Sequence, residues 1–280
     1  MRAVFAQVRG LATRYLDAGS GDAIILLHPV GYPAEVFCRV LQGLGDGFRV
    51  IAPDLAGQGF SQPPAAWPEA PQVFMVEQVL ALADTLGIER FSVLGSSLGG
   101  LVAALVALRA PQRVDNLVLV GTGSVFNDPA RQAAILDAVY ANGSKAYADP
   151  SIESCRARLA TTCHRLPPAE DVLLAQITAY ALPGAADSYR AILDGLKRTA
   201  TDPATTVYPH LEQLATRTLV LLGEQDIRTS PESHRAGVRR MPDATLATLP
   251  DCGHLPYLEV PDRFNALLRE FLGRRALPTP

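Results

Sequence analysis

Phe91-Ser92-Val93-Leu94-Gly95-Ser96-Ser97-Leu98-Gly99-Gly100 passes from an apolar, strand-like run into a serine flanked by glycines, then directly into a helical pattern. Leu101, Leu105 and Leu108 recur at near-helical spacing before Pro111 ends the run. Taken alone, such a glycine- and serine-rich stretch is an ordinary connecting turn. With a strand before it and a helix after it, G-x-S-x-G describes a cramped turn that only small neighbours allow, with the central serine hydroxyl held clear of the chain. Ser97 is therefore the candidate nucleophile.

A serine at its free pKa is a weak nucleophile and needs a base, itself oriented by a carboxylate. Downstream, Thr218-Leu219-Val220-Leu221-Leu222-Gly223-Glu224-Gln225-Asp226 reads as a buried strand running into a turn that carries acids. A second strand is expected over Leu246 to Pro250, followed by the loop Asp251-Cys252-Gly253-His254. Asp226 is assigned as the orienting acid and His254 as the base, with a helix from Ser230 to Met241 between the strands. Glu224 and Asp251 are nearby substitutes for the acid. The plain alternatives are a turn-forming aspartate and an ordinary loop histidine. The chain order Ser, Asp, His favours the joint assignment.

Acyl transfer also requires donors aimed at the developing oxyanion. One expected donor is the backbone N–H of Leu98, directly after the serine. The second should follow an early buried strand, and Ala23-Ile24-Ile25-Leu26-Leu27-His28-Pro29-Val30-Gly31 has that form. Pro29 carries no N–H, so Val30 is the preferred donor and Gly31 its alternative. His28 is read as a brace beneath the loop.

The 280 residues are 48% hydrophobic and 19% charged, enough to bury one full core. A formal net charge of −3 offers no basic field to nucleic acid. No apolar stretch is long enough to span a membrane, and the Met1-Arg2-Ala3-Val4-Phe5 start lacks a signal-peptide pattern. Cys38, Cys155, Cys163 and Cys252 show neither C-x-x-C nor zinc-ligand spacing. A cytoplasmic, reduced protein without metal or cofactor is expected, with monomer and homodimer both open.

Along the chain, a strand pair is expected from Val8 to Asp17, and continuous apolar strands at 23–28, 48–53, 91–95 and 115–121, as where helices cover both faces of a sheet. Gln72 to Leu86 has helical periodicity. From Asn127 to about His210 amphipathic helices replace the strand–helix alternation, broken at Asn142-Gly143, Pro167-Pro168 and Pro183-Gly184.

On these residues the chain resembles the α/β-hydrolase superfamily over nearly its whole length. Ala52-Pro53-Asp54-Leu55-Ala56-Gly57-Gln58-Gly59-Phe60-Ser61 is similar to that superfamily's D-x-x-G-x-G-x-S turn, with Asp54 structural. The resemblance implies an α/β-hydrolase fold: a mostly parallel eight-stranded sheet flanked by helices, with a helical lid after the sixth strand. Residues 1–126 and 211–280 then form the core domain and 127–210 the lid. The segment Leu159 to Ile192 is similar to the lid of the meta-cleavage product hydrolases, which cut carbon–carbon bonds in vinylogous diketo acids. In that alignment Gln176 takes the place of a lid arginine that binds the substrate carboxylate, Ser96 that of an asparagine, and Leu255 that of a tryptophan. Arg165 and Arg190 are the cations that could replace the lid arginine. Gly31, Gln176, Tyr180 and Leu255 are the candidate substrate contacts. The expected activity is a serine hydrolase of a small, largely apolar carboxylic ester or lactone. The alternatives are carbon–carbon hydrolysis by the same residues, a cofactor-free lyase or oxygenase, and a non-catalytic binding protein.

Overall fold

The computed structural model describes residues 1–167 and 169–273. Pro168, paired above with Pro167 as a break, and the 274–280 end of the second core segment lie outside the described residues.

Eight strands form one sheet: β1 (Arg2–Val8), β2 (Leu11–Gly19), β3 (Asp22–Leu27), β4 (Phe48–Pro53), β5 (Phe91–Ser96), β6 (Val114–Val120), β7 (Thr218–Gly223) and β8 (Ala244–Leu249). Their order is β1-β2-β4-β3-β5-β6-β7-β8. β2 runs antiparallel to both neighbours and every other pair is parallel. The parallel centre follows from the apolar runs: Ile24 to Leu27 are wholly buried, as are Val93 and Leu94, because both faces of such a sheet are covered. The antiparallel pair starts at Arg2, earlier than the expected Val8. β1 is an edge strand whose outer residues face solvent, so its sequence lacks the continuous apolar signal.

The helices are α1 (Cys38–Leu44), α2 (Pro71–Thr85), α3 (Leu98–Arg109), α4 (Gly123–Phe126), α5 (Pro129–Ala148), α6 (Ile152–Ala160), α7 (Glu170–Tyr180), α8 (Ala185–Arg198), α9 (Pro231–Val238), α10 (Pro256–Glu259) and α11 (Pro261–Gly273). α3 packs on β5 and β6, α2 on α3, and α1 on α11. Between β6 and β7 the chain leaves the alternation and makes α5 to α8, with α5 against α8 and α6, and α6 against α7. β3 lies between β4 and β5, so the chain order reverses there. The loops leaving β3 and β5 are therefore neighbours at the carboxyl end of the sheet, where open α/β sheets place their ligand sites.

Buried polar groups tie these loops together. Asp54 accepts from Arg14 Nη1 at 3.1 Å and from the N–H groups of Ala34 at 2.7 Å and Phe60 at 3.0 Å. Arg14 also pairs with Glu35. Burial pushes the Asp54 carboxyl up to about 6, against the pull of Arg14. His28 is fully buried. Its Nε2 accepts from the Leu55 N–H at 2.8 Å, so Nδ1 carries the proton and donates to the Pro29 carbonyl at 2.9 Å. His234 donates from Nδ1 to the Ser230 carbonyl at 2.8 Å, and its ring lies 4.5 Å from that of Phe126.

One expected break is absent: α5 runs through Asn142-Gly143 without interruption. Gly143 serves a close approach instead of a turn. A Cβ there would stand 2.1 Å from the Tyr189 hydroxyl, which donates to the Val139 carbonyl at 2.7 Å. At Pro183-Gly184 the break does occur, with Gly184 at φ 76° between α7 and α8.

Two predictions follow from these contacts. Burial lowers the His28 and His234 rings to about 4, whereas the unfolded chain protonates both below about 6.5. Their contribution to stability is whole above that pH and is lost as pH falls towards 4, at up to about 1.4 kcal/mol per unit for each ring. Asp54 acts with the opposite sign between about 4 and 6 and offsets part of the loss. Urea midpoints between pH 7.5 and 4.5 should fall with pH, and His234→Gln should flatten the slope; a pH-independent midpoint contradicts the account. Separately, Gly143→Ala should destabilise by about 1–3 kcal/mol through overpacking. Helix propensity alone would give a gain of about 1 kcal/mol, so the sign of the change in urea decides between packing and propensity.

Candidate active site

Ser97 sits where β5 passes into α3 with φ 53° and ψ −114°, a strained conformation for a residue with a Cβ. The turn is held from three sides. The Ser97 N–H donates to the Val120 carbonyl at 3.0 Å, its carbonyl accepts from the N–H groups of Gly100 and Leu101, and Ser124 Oγ donates to it at 3.3 Å. Gly99 brings α3 against the end of β3, where a Cβ would stand 2.0 Å from the Leu27 carbonyl oxygen. Ser96, the neighbour of Ser97, is buried and accepts from the Tyr257 hydroxyl at 3.0 Å.

Asp226 follows β7 and His254 follows β8, and the two meet: His254 Nδ1 lies 2.8 Å from Asp226 Oδ2. Glu224 and Asp251 are exposed, and Asp251 pairs with Arg165. The remaining Asp226 oxygen accepts from the Arg228 N–H at 2.9 Å. Burial pushes the Asp226 carboxyl up, but the charge and hydrogen bond of His254 outweigh it and hold the group below its ordinary range. The His254 N–H donates to the Thr162 carbonyl at 2.9 Å, which ties the histidine to the segment after α6. Gly121, next to the residue that anchors Ser97, has φ 54°, and a Cβ there would stand 3.0 Å from His254 Nδ1 and 3.2 Å from Asp226 Oδ2. Ser97 and the His–Asp pair thus converge on the end of β6.

The loop after β3 has its peptide groups assigned one by one. The Pro29 carbonyl accepts from His28 Nδ1 and from the Tyr32 N–H. The Val30 carbonyl accepts from Arg158 Nη2 at 2.9 Å. The Gly31 N–H donates to Gln58 Oε1 at 2.7 Å, and the Gly31 carbonyl accepts from the Tyr180 hydroxyl. Gly31 is therefore not the spare donor. The Val30 N–H has no acceptor among the described residues, and neither has the Leu98 N–H. Val30, Ser97 and Leu98 together line one small cavity of about 60 Å³, whose other walls include Leu101, Ile135, Leu136, Val139 and Leu196 with Gln72, Gln132 and Thr199. No charged side chain lies among its described lining residues.

Gln176, Tyr180 and Leu255 are all buried and do not line this cavity. Gln176 Nε2 donates to the Tyr180 hydroxyl at 3.0 Å, which in turn donates to Gly31. Arg165 and Arg190 both lie at the surface, Arg165 facing Asp251 at 3.3 Å and Arg190 facing Asp187 at 3.9 Å, so neither supplies an interior cation. A cation buried within the insertion is Arg158, which the sequence reading missed. It is 4% exposed, and the rings of Tyr32, Tyr147, Tyr180 and Tyr189 lie 5.2 to 5.9 Å from its guanidinium carbon. The available signal was its place between Cys155 and Leu159, on the face that α6 buries. Arg228 lies close enough for the two cations to repel each other, and its Nη2 donates to Thr161 Oγ1 at 3.3 Å.

Among the described residues no helix is long and apolar enough to cross a membrane, no group of three or more His, Cys, Asp or Glu residues is placed to hold a metal ion, and all four cysteines are free. A family model of the alpha/beta hydrolases matches residues 24–267. The 2-hydroxy-6-oxo-6-phenylhexa-2,4-dienoate hydrolase of Burkholderia cepacia is 32% identical over 268 residues, covering 92% of this chain and 90% of that protein. The structure of a hydrolase of the same name from a Rhodococcus strain superposes with a TM-score of 0.78 at 27% identity, covering 97% of this chain and all of that one. A thermophilic esterase from Thermogutta terrifontis superposes at 0.76 with 25% identity, covering 99% of this chain and all of the other. With its mostly parallel eight-stranded sheet and flanking helices, the chain belongs to the alpha/beta hydrolase family.

Proposed function

We propose that the protein is a serine hydrolase of a small, uncharged carboxylic ester or lactone. The observation that carries this reading is the cavity at Ser97, which is lined by Val30 and Leu98, whose backbone N–H groups have no acceptor among the described residues, and by no charged side chain among those residues. In the proposed reaction Ser97 Oγ attacks the carbonyl carbon while His254 takes its proton at Nε2, the nitrogen not engaged by Asp226. Asp226 keeps the ring in that tautomer and offsets the positive charge that it gains. The oxyanion points between the Val30 and Leu98 N–H groups, which in a site closed to water need no reorganisation. Collapse of the tetrahedral intermediate expels the alcohol, which receives the proton from His254, and water repeats the sequence on the acyl-enzyme. The helices α5 to α8 act as the lid: Ile135, Leu136 and Val139 of α5 and Leu196 of α8 wall the cavity, with Thr199 just after α8.

A second reading has one specific observation in its favour. Arg158 is a buried cation with no carboxylate bonded to it, and its Nη1 has no hydrogen-bond partner among the described residues. Next to a loop that supplies an oxyanion donor, this group would suit a substrate carboxylate. That reading makes the protein a carbon–carbon hydrolase of an oxo-dienoate, the type of substrate named for the Burkholderia relative.

An activated aryl ester, a lactone series and a 2-hydroxy-6-oxo-dienoate separate the two by kcat/KM, which measures differential transition-state binding. The ester or lactone should be the faster substrate. Ser97→Ala and His254→Ala should each lose about 10⁴-fold or more in turnover, and Asp226→Ala somewhat less. Retained activity or fluorophosphonate labelling in Ser97→Ala removes the serine from its role. A dominant dienoate activity, with KM for that substrate alone raised in Arg158→Met, selects the second reading.

A further inference from the structure

The helical insertion supplies two of the groups that hold the loop after β3. Arg158 comes from α6 and binds the Val30 carbonyl; Tyr180 comes from α7 and binds the Gly31 carbonyl. Resting on the hydrolase reading above, we propose that Arg158 and Tyr180 are positioning residues that fix the direction in which the Val30 N–H points.

The need for them lies in the chemistry of the loop. Gly31 stands at φ 72° and has no side chain to anchor it, so its two peptide planes are held through their own polar groups. One is held by Arg158 at the Val30 carbonyl and Gln58 at the Gly31 N–H, the other by Tyr180 at the Gly31 carbonyl and Pro29 at the Tyr32 N–H. A trans peptide is planar, so holding its carbonyl sets the direction of the whole plane. His28 and the Tyr32 N–H set the Pro29–Val30 plane through the Pro29 carbonyl, but that arrangement lasts only while Tyr32 stays in register. Tyr32 follows two planes, Val30–Gly31 and Gly31–Tyr32, whose carbonyls are the ones bound by Arg158 and Tyr180. Loss of the Tyr180 bond frees the Gly31–Tyr32 plane, whose N–H is the one on Pro29, and loss of the Arg158 bond leaves the Val30–Gly31 plane on Gln58 alone. Either loosens the Tyr32 N–H on Pro29 and leaves His28 as the firm hold on the plane of the Val30 N–H.

Both side chains are themselves immobilised. Tyr147 stacks on Tyr180 with ring centroids 3.9 Å apart and on Tyr189 at 4.7 Å, and these rings, with Tyr32, surround the guanidinium. Gln176 Nε2 donates to the Tyr180 hydroxyl, which commits the phenol proton to Gly31. At Gly31 a Cβ would stand 2.5 Å from Arg158 Nη2, so the guanidinium and the loop are in direct contact. An arginine suits this place because it keeps its charge when buried and its planar head packs between rings.

Tyr180→Phe removes only the hydroxyl, Arg158→Met removes the donor while keeping most of the volume, and Arg158→Lys restores one donor. Two measurements on the full chain test the proposal. In the first, amide exchange at Gly31 and Tyr32, followed by NMR, should rise by about ten-fold or more in Tyr180→Phe and Arg158→Met. In the second, kcat on the neutral ester should fall about 10- to 100-fold, the range that small misplacements of catalytic groups produce, with KM changed less than about three-fold. Affinity for a boronic acid, which makes the tetrahedral anion on Ser97, should fall in proportion to kcat, and Arg158→Lys should recover part of both. A merely structural role predicts lower stability with kcat and boronate affinity intact. Unchanged exchange in both variants, or a rise in KM alone, overturns the proposal. Should Arg158→Met fail to fold, Tyr180→Phe decides by itself. If the wild-type protein cleaves no ester, the hydrolase reading fails, while amide exchange still decides whether the two side chains hold the loop.

Discussion

The contact between Gly99 and the carbonyl of Leu27 sets the geometry on which the site depends. With β3 beside β5 in parallel, Leu27 pairs with Gly95, and only a glycine lets the first turn of α3 approach the end of β3 so closely. That approach puts the peptide after Ser97 and the loop after Leu27 on one wall. Leu98 and Val30, from segments some seventy residues apart in the chain, then line the same cavity. Ser97 accepts a strained backbone in the same place, at a cost of about 1–3 kcal/mol. The hydrogen bonds to Val120, Gly100, Leu101 and Ser124 hold it there.

The parts of this arrangement that were legible in the sequence are those written in local chemistry. Glycines around Ser97 and the apolar runs of β3 to β7 are direct consequences of close approach and of burial on both faces, so both could be read. The meeting of Asp226 with His254 was legible from chain order and from the turns that end β7 and β8. Other features were hidden because local and tertiary preferences conflict. Asn142-Gly143 has the composition of a turn, yet α5 continues through it because Tyr189 needs the space a side chain would fill. β1 was read too late because an exposed edge strand has no buried face to impose a pattern. Gln176, Tyr180 and Leu255 are candidate substrate contacts in the sequence, but none of them lines the cavity at Ser97, and Gln176 and Tyr180 are bonded in series to the Gly31 carbonyl.

Arg158 was missed for a physical reason. A charged residue between Cys155 and Leu159 looks like a solvated position, since the desolvation of a lone cation costs several kcal/mol. Here that cost is spread over many weak terms. One charge-assisted bond to the Val30 carbonyl contributes roughly 1.5–3 kcal/mol, and each of the four tyrosine faces adds about 0.5–2 kcal/mol. None of these partners adjoins Arg158 in sequence; Tyr32, Tyr147, Tyr180 and Tyr189 come from four separate segments. The favourable environment exists only after α5 to α8 have packed over the loop.

That dependence runs in both directions. The charge of Arg158 is tolerable only where the loop offers the Val30 carbonyl and the rings shield it, and the loop in turn has two of its carbonyls bound by Arg158 and Tyr180. His254 is linked to the same insertion through the Thr162 carbonyl, and Tyr32 through Thr162 Oγ1 at 3.1 Å. The helices over the cavity are therefore more than a cover whose sequence drifts with substrate size. A change on the cavity wall, such as at Ile135 or Leu136, alters what fits. A change at Arg158, Thr162 or Tyr180 alters the backbone groups around the serine. The insertion thus carries two separable kinds of information on different helices: α5 and α8 shape the cavity, while α6, the turn after it and α7 hold the loop beside Ser97.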